Sequence, residues 1–138
     1  MLAGIGLRET NFQTENQIGG GGGRGVFQID ITKHPEVSEA QANDLNFAAD
    51  WAANYLAQNK ATIQQLNPNF TGQDLDHAVA ASYNLGPNSF SGDPSKIDIG
   101  STGNNYGGNV LGMMPAFKDP VTGLTPKAGS ANGGKDGC

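Results

Sequence analysis

The stretch that decides the reading is Leu2–Gln13, LAGIGLRETNFQ, and above all Glu9 within it. On a helix turning about 100° per residue, Leu2, Ile5, Glu9 and Phe12 fall within a wedge of roughly 80°. A carboxylate on the buried stripe of a helix is costly. It either pairs with Arg8 or another cation, or its pKa rises until it keeps a proton near neutral pH. The second outcome makes a general acid. The helix is expected from about Met1 to Phe12.

Working outward, Asn16 to Gly25 is expected to be irregular. Its five consecutive glycines, Gly19 to Gly23, carry too much backbone entropy to order cheaply. The Lys-Ser/Thr ending of a phosphate-binding loop is missing, which sets that reading aside. Val26–Ile31, VFQIDI, alternates. Phe27, Ile29 and Ile31 share one face of a short strand, and Val26, Gln28 and Asp30 the other. The second face is either a solvated edge or a display of polar groups.

His34-Pro35 ends that strand. Ser38-x-x-Gln41 has the form of a capping box for a long core helix, about Ala40 to Leu66. Leu45, Ala48, Ala49, Trp51, Ala52, Tyr55, Leu56 and Ile63 give this helix its apolar side. Trp51 is read as core in preference to a sugar platform. Asn67-Pro68 breaks the helix, Thr71-x-x-Asp74 caps the next, and Gly86 stops it. Leu75, Ala78, Val79 and Ser82 form the inner stripe of that next helix. Asp74, Asp76 and His77 are read as its solvated start, since no second cluster completes a metal site.

Pro87 to Gly103 is expected as a long polar loop, and Asn104 to Phe117 as a last helix. Its small residues would let it lie close to a neighbour. From Lys118 onward a Gly/Ser/Lys-rich tail or linker is expected, 118–138, after one domain over 1–117.

Composition narrows the classes. The 138 residues suffice for one compact domain. The formal net charge of −5 and pI near 4.7 argue against nucleic acid, which rewards a basic face. No run reaches the roughly 18 apolar residues of a membrane span, so no membrane insertion is expected. The single cysteine, Cys138, has no internal partner for a disulfide. MLAGIGL is too short and lacks the basic leader of a signal peptide. A helix bearing its key residue at position 9 is an abrupt start, so upstream elements, a leader among them, are expected to be missing.

Four segments, GIGLRETNF, GRGVFQIDITKH, ASYNLG and IDIGSTGNNYGGNV, occur in this order between Gly4 and Leu111. Together they resemble the goose-type lysozymes and the wider lytic transglycosylase group. Members show Arg-Glu-Ser on a helix, Gln-Val-Asp on a short sheet, Ala-Tyr-Asn-x-Gly at a helix end, and Asp-Ile-Gly-Thr-Thr with Tyr-Ala-Asn-Asp-Val later on. The resemblance implies an α+β, mostly α-helical, lysozyme-like fold with a small β-sheet beside a saccharide cleft.

Carried over residue by residue, it implies Glu9 as catalytic acid and Asp30 as the carboxylate that positions or activates water. It places Gln28, His34, Tyr83, Asn84, Tyr106 and Asn109 along the cleft as substrate-binding residues. Tyr83 and Tyr106 would stack on or hydrogen-bond sugars, and Asp98 would be structural. The chain departs from the pattern where relatives often carry a second water-holding aspartate. Gly19 occupies that position here, with Glu15 nearby. The extra N-terminal segment of the family is also missing.

The activity so implied is a glycosidase acting on β-1,4 bonds of an N-acetylglucosamine-containing polymer. Peptidoglycan is the leading substrate and chitin the alternative. An inverting outcome requires Glu9 and Asp30 to stand roughly 6.5–9.5 Å apart, with water between. A lytic transglycosylase would need the glutamate alone and leave an anhydro end. A non-catalytic glycan-binding module is the reading from another class. No metal or organic cofactor is required. A secreted or cell-envelope location is expected, as is a monomer or one domain of a longer chain.

Overall fold

The computed structural model describes residues 1–117; the expected tail, 118–138 with Cys138, lies outside the described residues. Among the described residues the fold is mostly helical, with one two-stranded antiparallel sheet. Helix α1 covers Leu2–Thr10. Asn11 (φ 54°) and Phe12 (φ 61°) then take left-handed backbone, and their amides return to the Leu7 and Gly6 carbonyls. That reversal ends the helix two residues before the expected Phe12. It also moves the Phe12 ring out of the buried wedge: Phe12 is 47% exposed, while Ile5 and Glu9 are fully buried. The ring lies against Gly6, where a Cβ would meet it at 3.0 Å.

Strands β1 (Gly23–Arg24) and β2 (Ile29–Asp30) form a hairpin with Gly23 opposite Asp30. The strand expected over Val26–Ile31 is therefore mostly a turn. Residues 25–28 reverse the chain, Gln28 has φ 48°, and its amide bonds the Gly25 carbonyl at 3.1 Å. Gly25 is required at this place: its φ is +73°, and a Cβ would collide with the Ala42 carbonyl oxygen.

The capping box forms as expected. Gln41 N–H donates to Ser38 Oγ at 3.1 Å and Ser38 N–H to Gln41 Oε1 at 3.0 Å. It caps a short helix, α2 (Glu39–Asn43), and not the long one. Asp44 adopts extended backbone, breaks the run and caps α3 (Leu45–Leu66) through the Phe47 amide. Helix α4 is Gly72–Leu85, closed at Gly86 with φ 82°. Thr71 is its N-cap residue, but its side chain makes no capping hydrogen bond.

Helices α3 and α4 pack through alanines and through a buried clasp from Asn59 Nδ2 to Ser82 Oγ at 3.0 Å. The polar stretch after Gly86 is not all loop. It buries Ile97, forms two 3-10 turns (Pro94–Lys96 and Thr102–Asn104), and leads into α5, Tyr106–Met113. The expected last helix is thus shorter, with a 3-10 turn at Met114–Phe117. Its small residues do permit close approach. A Cβ on Gly107 would meet Ala81 Cβ and the His77 carbonyl at 2.9 Å, and one on Gly4 of α1 would meet the Val110 carbonyl at 3.0 Å. Helix α5 is therefore wedged between α4 and α1.

Candidate active site

Glu9 sits in the last turn of α1 with no solvent exposure. Tyr106, the first residue of α5 and also fully buried, donates its hydroxyl to Glu9 Oε1 at 2.6 Å. The Arg8 guanidinium carbon lies 5.1 Å from the centre of the Tyr106 ring, within cation–π range. The glycine-mediated contact of α1 with α5 allows this meeting. Tyr106 was expected to touch sugar. Its burial gives it another task, which is to hold the carboxyl.

The next residue, Thr10, ties α1 to the hairpin: its hydroxyl donates to the Val26 carbonyl at 2.8 Å. Helix α4 grips the same turn, with the Tyr83 hydroxyl donating to the Phe27 carbonyl at 2.7 Å. Tyr83 is 1% exposed and packs edge-on against Tyr55. In this structure it braces the core. Gln28 is likewise buried at 1% and donates from Nε2 to the Glu15 and Gly25 carbonyls. The expected cleft-lining glutamine instead stitches the Glu15 segment to the turn.

Asp30 follows on β2. Its Oδ1 accepts from the Thr32 hydroxyl at 2.5 Å and the Thr32 amide at 3.0 Å, and the Lys33 ammonium lies 3.6 Å from Oδ2. Burial pushes this carboxyl up, but the two Thr32 bonds and the Lys33 charge outweigh it and hold Asp30 below the usual 3.8. Asp30 is therefore ionised at neutral pH. Gly22 lies directly over it, where a Cβ would strike Oδ1. Gly19 has φ 87° and open space around it.

His34 is one turn on from Asp30, its amide bonded to the Asp30 carbonyl at 2.9 Å. Its ring stands beside Trp51 and Tyr55. Asn84 is half-buried and clasps Thr102, accepting from the Thr102 amide at 3.0 Å and donating to its hydroxyl at 3.2 Å. Asn109 is half-buried on α5. Two cavities stand nearby, of about 480 and 260 Å³, and neither has Glu9 or Asp30 in its lining.

No family model matches the chain, and no curated protein matches it.

Sequence reasoning missed His77. Read as part of a solvated helix start, it instead bonds Asp98 Oδ2 through Nε2 at 2.6 Å. Asp98 also accepts the amides of Gly107 at 2.7 Å and Gly108 at 2.9 Å, two of the free donors in the first turn of α5. Burial pushes Asp98 up, and the His77 and amide bonds more than reverse it, so it too lies below 3.8. The expected structural role of Asp98 thus takes a definite form. It holds the start of α5, whose first residue holds Glu9. Nothing in the local sequence of His77 pointed to this, because its partner lies 21 residues away. Among the described residues no group of three or more His, Cys, Asp or Glu side chains is placed to hold a metal.

Proposed function

We propose that this chain is a glycoside hydrolase that cleaves β-1,4 bonds of an N-acetylglucosamine-containing polymer, with Glu9 as general acid. Peptidoglycan is the leading substrate and chitin the alternative. The reading is supported chiefly by the Tyr106 to Glu9 bond of 2.6 Å. The first and last of the four motif segments converge on one buried carboxyl, as a built acid would require. Burial favours the protonated form of a carboxyl group.

In the reaction, the Glu9 proton passes to the glycosidic oxygen as its bond to the anomeric carbon breaks. A water bonds that carbon from the opposite face and gives its proton to Asp30, and the anomer inverts. An ionised Asp30 suits this task. Lys33 at 3.6 Å is long for a hydrogen bond, which leaves Oδ2 able to take a water. A general acid must touch its leaving oxygen, so on this reading the elements over Glu9 part when glycan binds.

One observation favours a second outcome on the same site. Asp30 Oδ1 is already occupied by Thr32, and Gly19 supplies no second carboxylate. A lytic transglycosylase needs neither, since the sugar's own hydroxyl attacks the anomeric carbon.

The deciding variant is Glu9→Gln, which is expected to fold as wild type by circular dichroism and to lose wall-clearing and chitooligosaccharide-releasing activity. Turnover close to wild type would remove Glu9 from the role. Mass spectrometry of the products separates hydrolysis from transglycosylation, because an anhydro end lacks one water.

A further inference from the structure

A run of hydrogen bonds leads from helix α4 to the buried Glu9 carboxyl. Asp98, held below its usual 3.8, is ionised at neutral pH. A carboxylate only accepts, so the His77 ring donates from Nε2 to Asp98 Oδ2 at 2.6 Å. Ser101 Oγ shares its proton between the Asp98 carbonyl at 2.8 Å and Asp98 Oδ1 at 3.2 Å. The same Ser101 oxygen accepts the Tyr106 amide at 3.2 Å. Tyr106 then reaches Glu9 Oε1 through its hydroxyl at 2.6 Å. Ser101, Tyr106 and Glu9 are buried, while His77 is half-buried and borders the cavity of about 480 Å³.

The His77 ring also governs how α5 lies. A Cβ on Gly107 would meet His77 Cδ2 at 2.8 Å, and one on Gly108 would stand 4.0 Å from Nε2. The ring thus packs on the first turn of α5 while its nitrogen holds the carboxylate that caps that turn. Packing sets how close the helix comes. The hydrogen bond sets its rotation about its own axis, and that rotation aims Tyr106, the first residue of α5, at Glu9. Packing alone would be served by any flat apolar side chain. The nitrogen adds a bond to an ionised group, which is the stronger kind. Reacting groups must be held within about 0.5 Å of their productive geometry, and a misplacement of about 1 Å costs roughly 10²-fold in rate.

We propose that His77 is a positioning residue for the Glu9 acid, acting through Asp98, Ser101 and Tyr106 and not through contact with substrate. It keeps the first turn of α5 at the rotation that brings the Tyr106 hydroxyl to Glu9 Oε1. The effect on turnover rests on the function proposed above; the control of the Glu9 carboxyl and its surroundings does not.

Two variants of the full chain separate the nitrogen from the ring. His77→Phe keeps a ring against Gly107 and removes the donor; His77→Leu makes the same test should the phenyl ring disturb the fold. His77→Gln restores a donor at about the reach of the imidazole Nε2. At a temperature where circular dichroism shows every variant folded, His77→Phe is expected to lower kcat by about tenfold with KM near wild type, and His77→Gln to recover most of it. In a Tyr106→Phe background, His77→Phe is expected to remove nothing further, because the route to Glu9 is already cut. A second readout needs no substrate. The ¹³C NMR shift of the Glu9 carboxyl carbon is expected to move in His77→Phe in the same direction as in Tyr106→Phe, and to return in His77→Gln. Wild-type kcat in His77→Phe, a loss confined to KM, an equal further loss in the Tyr106→Phe background, or an unmoved Glu9 signal overturns the proposal and leaves His77 as a clasp between helices. The two proposals fail separately. A fully active Glu9→Gln with a Glu9 signal that follows His77 removes the acid alone. An inactive Glu9→Gln with wild-type kcat and an unmoved signal in His77→Phe removes the positioning role alone.

Discussion

The Tyr106 hydroxyl bonds Glu9 Oε1 at 2.6 Å across 97 residues of sequence. Both side chains are sealed from water. The hydrogen bond is thus made in a setting of low polarity, where removing one partner costs more than the bond is worth in water.

Tyr106→Phe keeps the ring beside Arg8 and deletes one oxygen. It is expected to lower stability by about 1–3 kcal/mol, the cost of leaving a buried polar group short of a partner. Thermal melts measure this. The same change is expected to lower kcat by roughly tenfold or more while leaving KM near wild type, because the lost hydroxyl is engaged by Glu9. A rise in KM alone would return Tyr106 to the sugar-contacting role.

Asp30→Asn keeps the Thr32 contacts nearly isosteric and removes the charge. If water attack is assisted by Asp30, hydrolysis is expected to fall by about 10²–10⁴-fold. Product masses supply the check: continued release of anhydro ends at wild-type rate identifies the transglycosylase outcome.

Asp98 makes folding acid-sensitive. Its folded-state pKa lies below its usual 3.8. The unfolded chain therefore binds the proton more readily, and the stabilisation is full above the usual value and fades as pH falls through the lower folded one. Melting temperature is expected to drop as pH is taken below about 4. Asp98→Asn is expected to flatten part of that dependence and, by weakening the cap of α5, to cost about 0.5–2 kcal/mol at neutral pH.

Gly107→Val tests the wedge of α5. The space for a Cβ is already taken by Ala81 Cβ and the His77 carbonyl at 2.9 Å. The variant is expected to lose about 1–3 kcal/mol by overpacking. It should also lower activity, since Tyr106 is the adjacent residue. Denaturant melts and turnover on one preparation measure both.

The parts of the fold legible in the sequence are those written in local chemistry. Ser38 and Gln41 form the capping box that their spacing announces, Gly86 stops α4, and the glycines of α5 permit close packing. The parts that were misread are set by distant partners. VFQIDI alternates like a strand, yet Thr10 and Tyr83 hold the carbonyls of Val26 and Phe27 and fix a turn there. Tyr83 and Gln28 have the residue types of a glycan-contacting surface, but each finds a buried backbone carbonyl to bond. Asp44 breaks the expected long helix because an aspartate that caps the helix after it is favoured over one inside it. Glu9 was legible as a buried carboxyl from period alone. Its partner was legible as a motif residue, and only the packing shows what that residue does.

The wedge of α5 against α1 has a consequence for synthesis on the ribosome. Residues 2–10 emerge well before the helix that completes their surroundings, which begins at residue 106. Until that later helix clears the exit tunnel, the carboxyl stays hydrated and its tyrosine clamp does not exist. A contact of this sequence separation forms late and slowly. A chain stalled before Tyr106 therefore carries the proposed acid but not the machinery to use it.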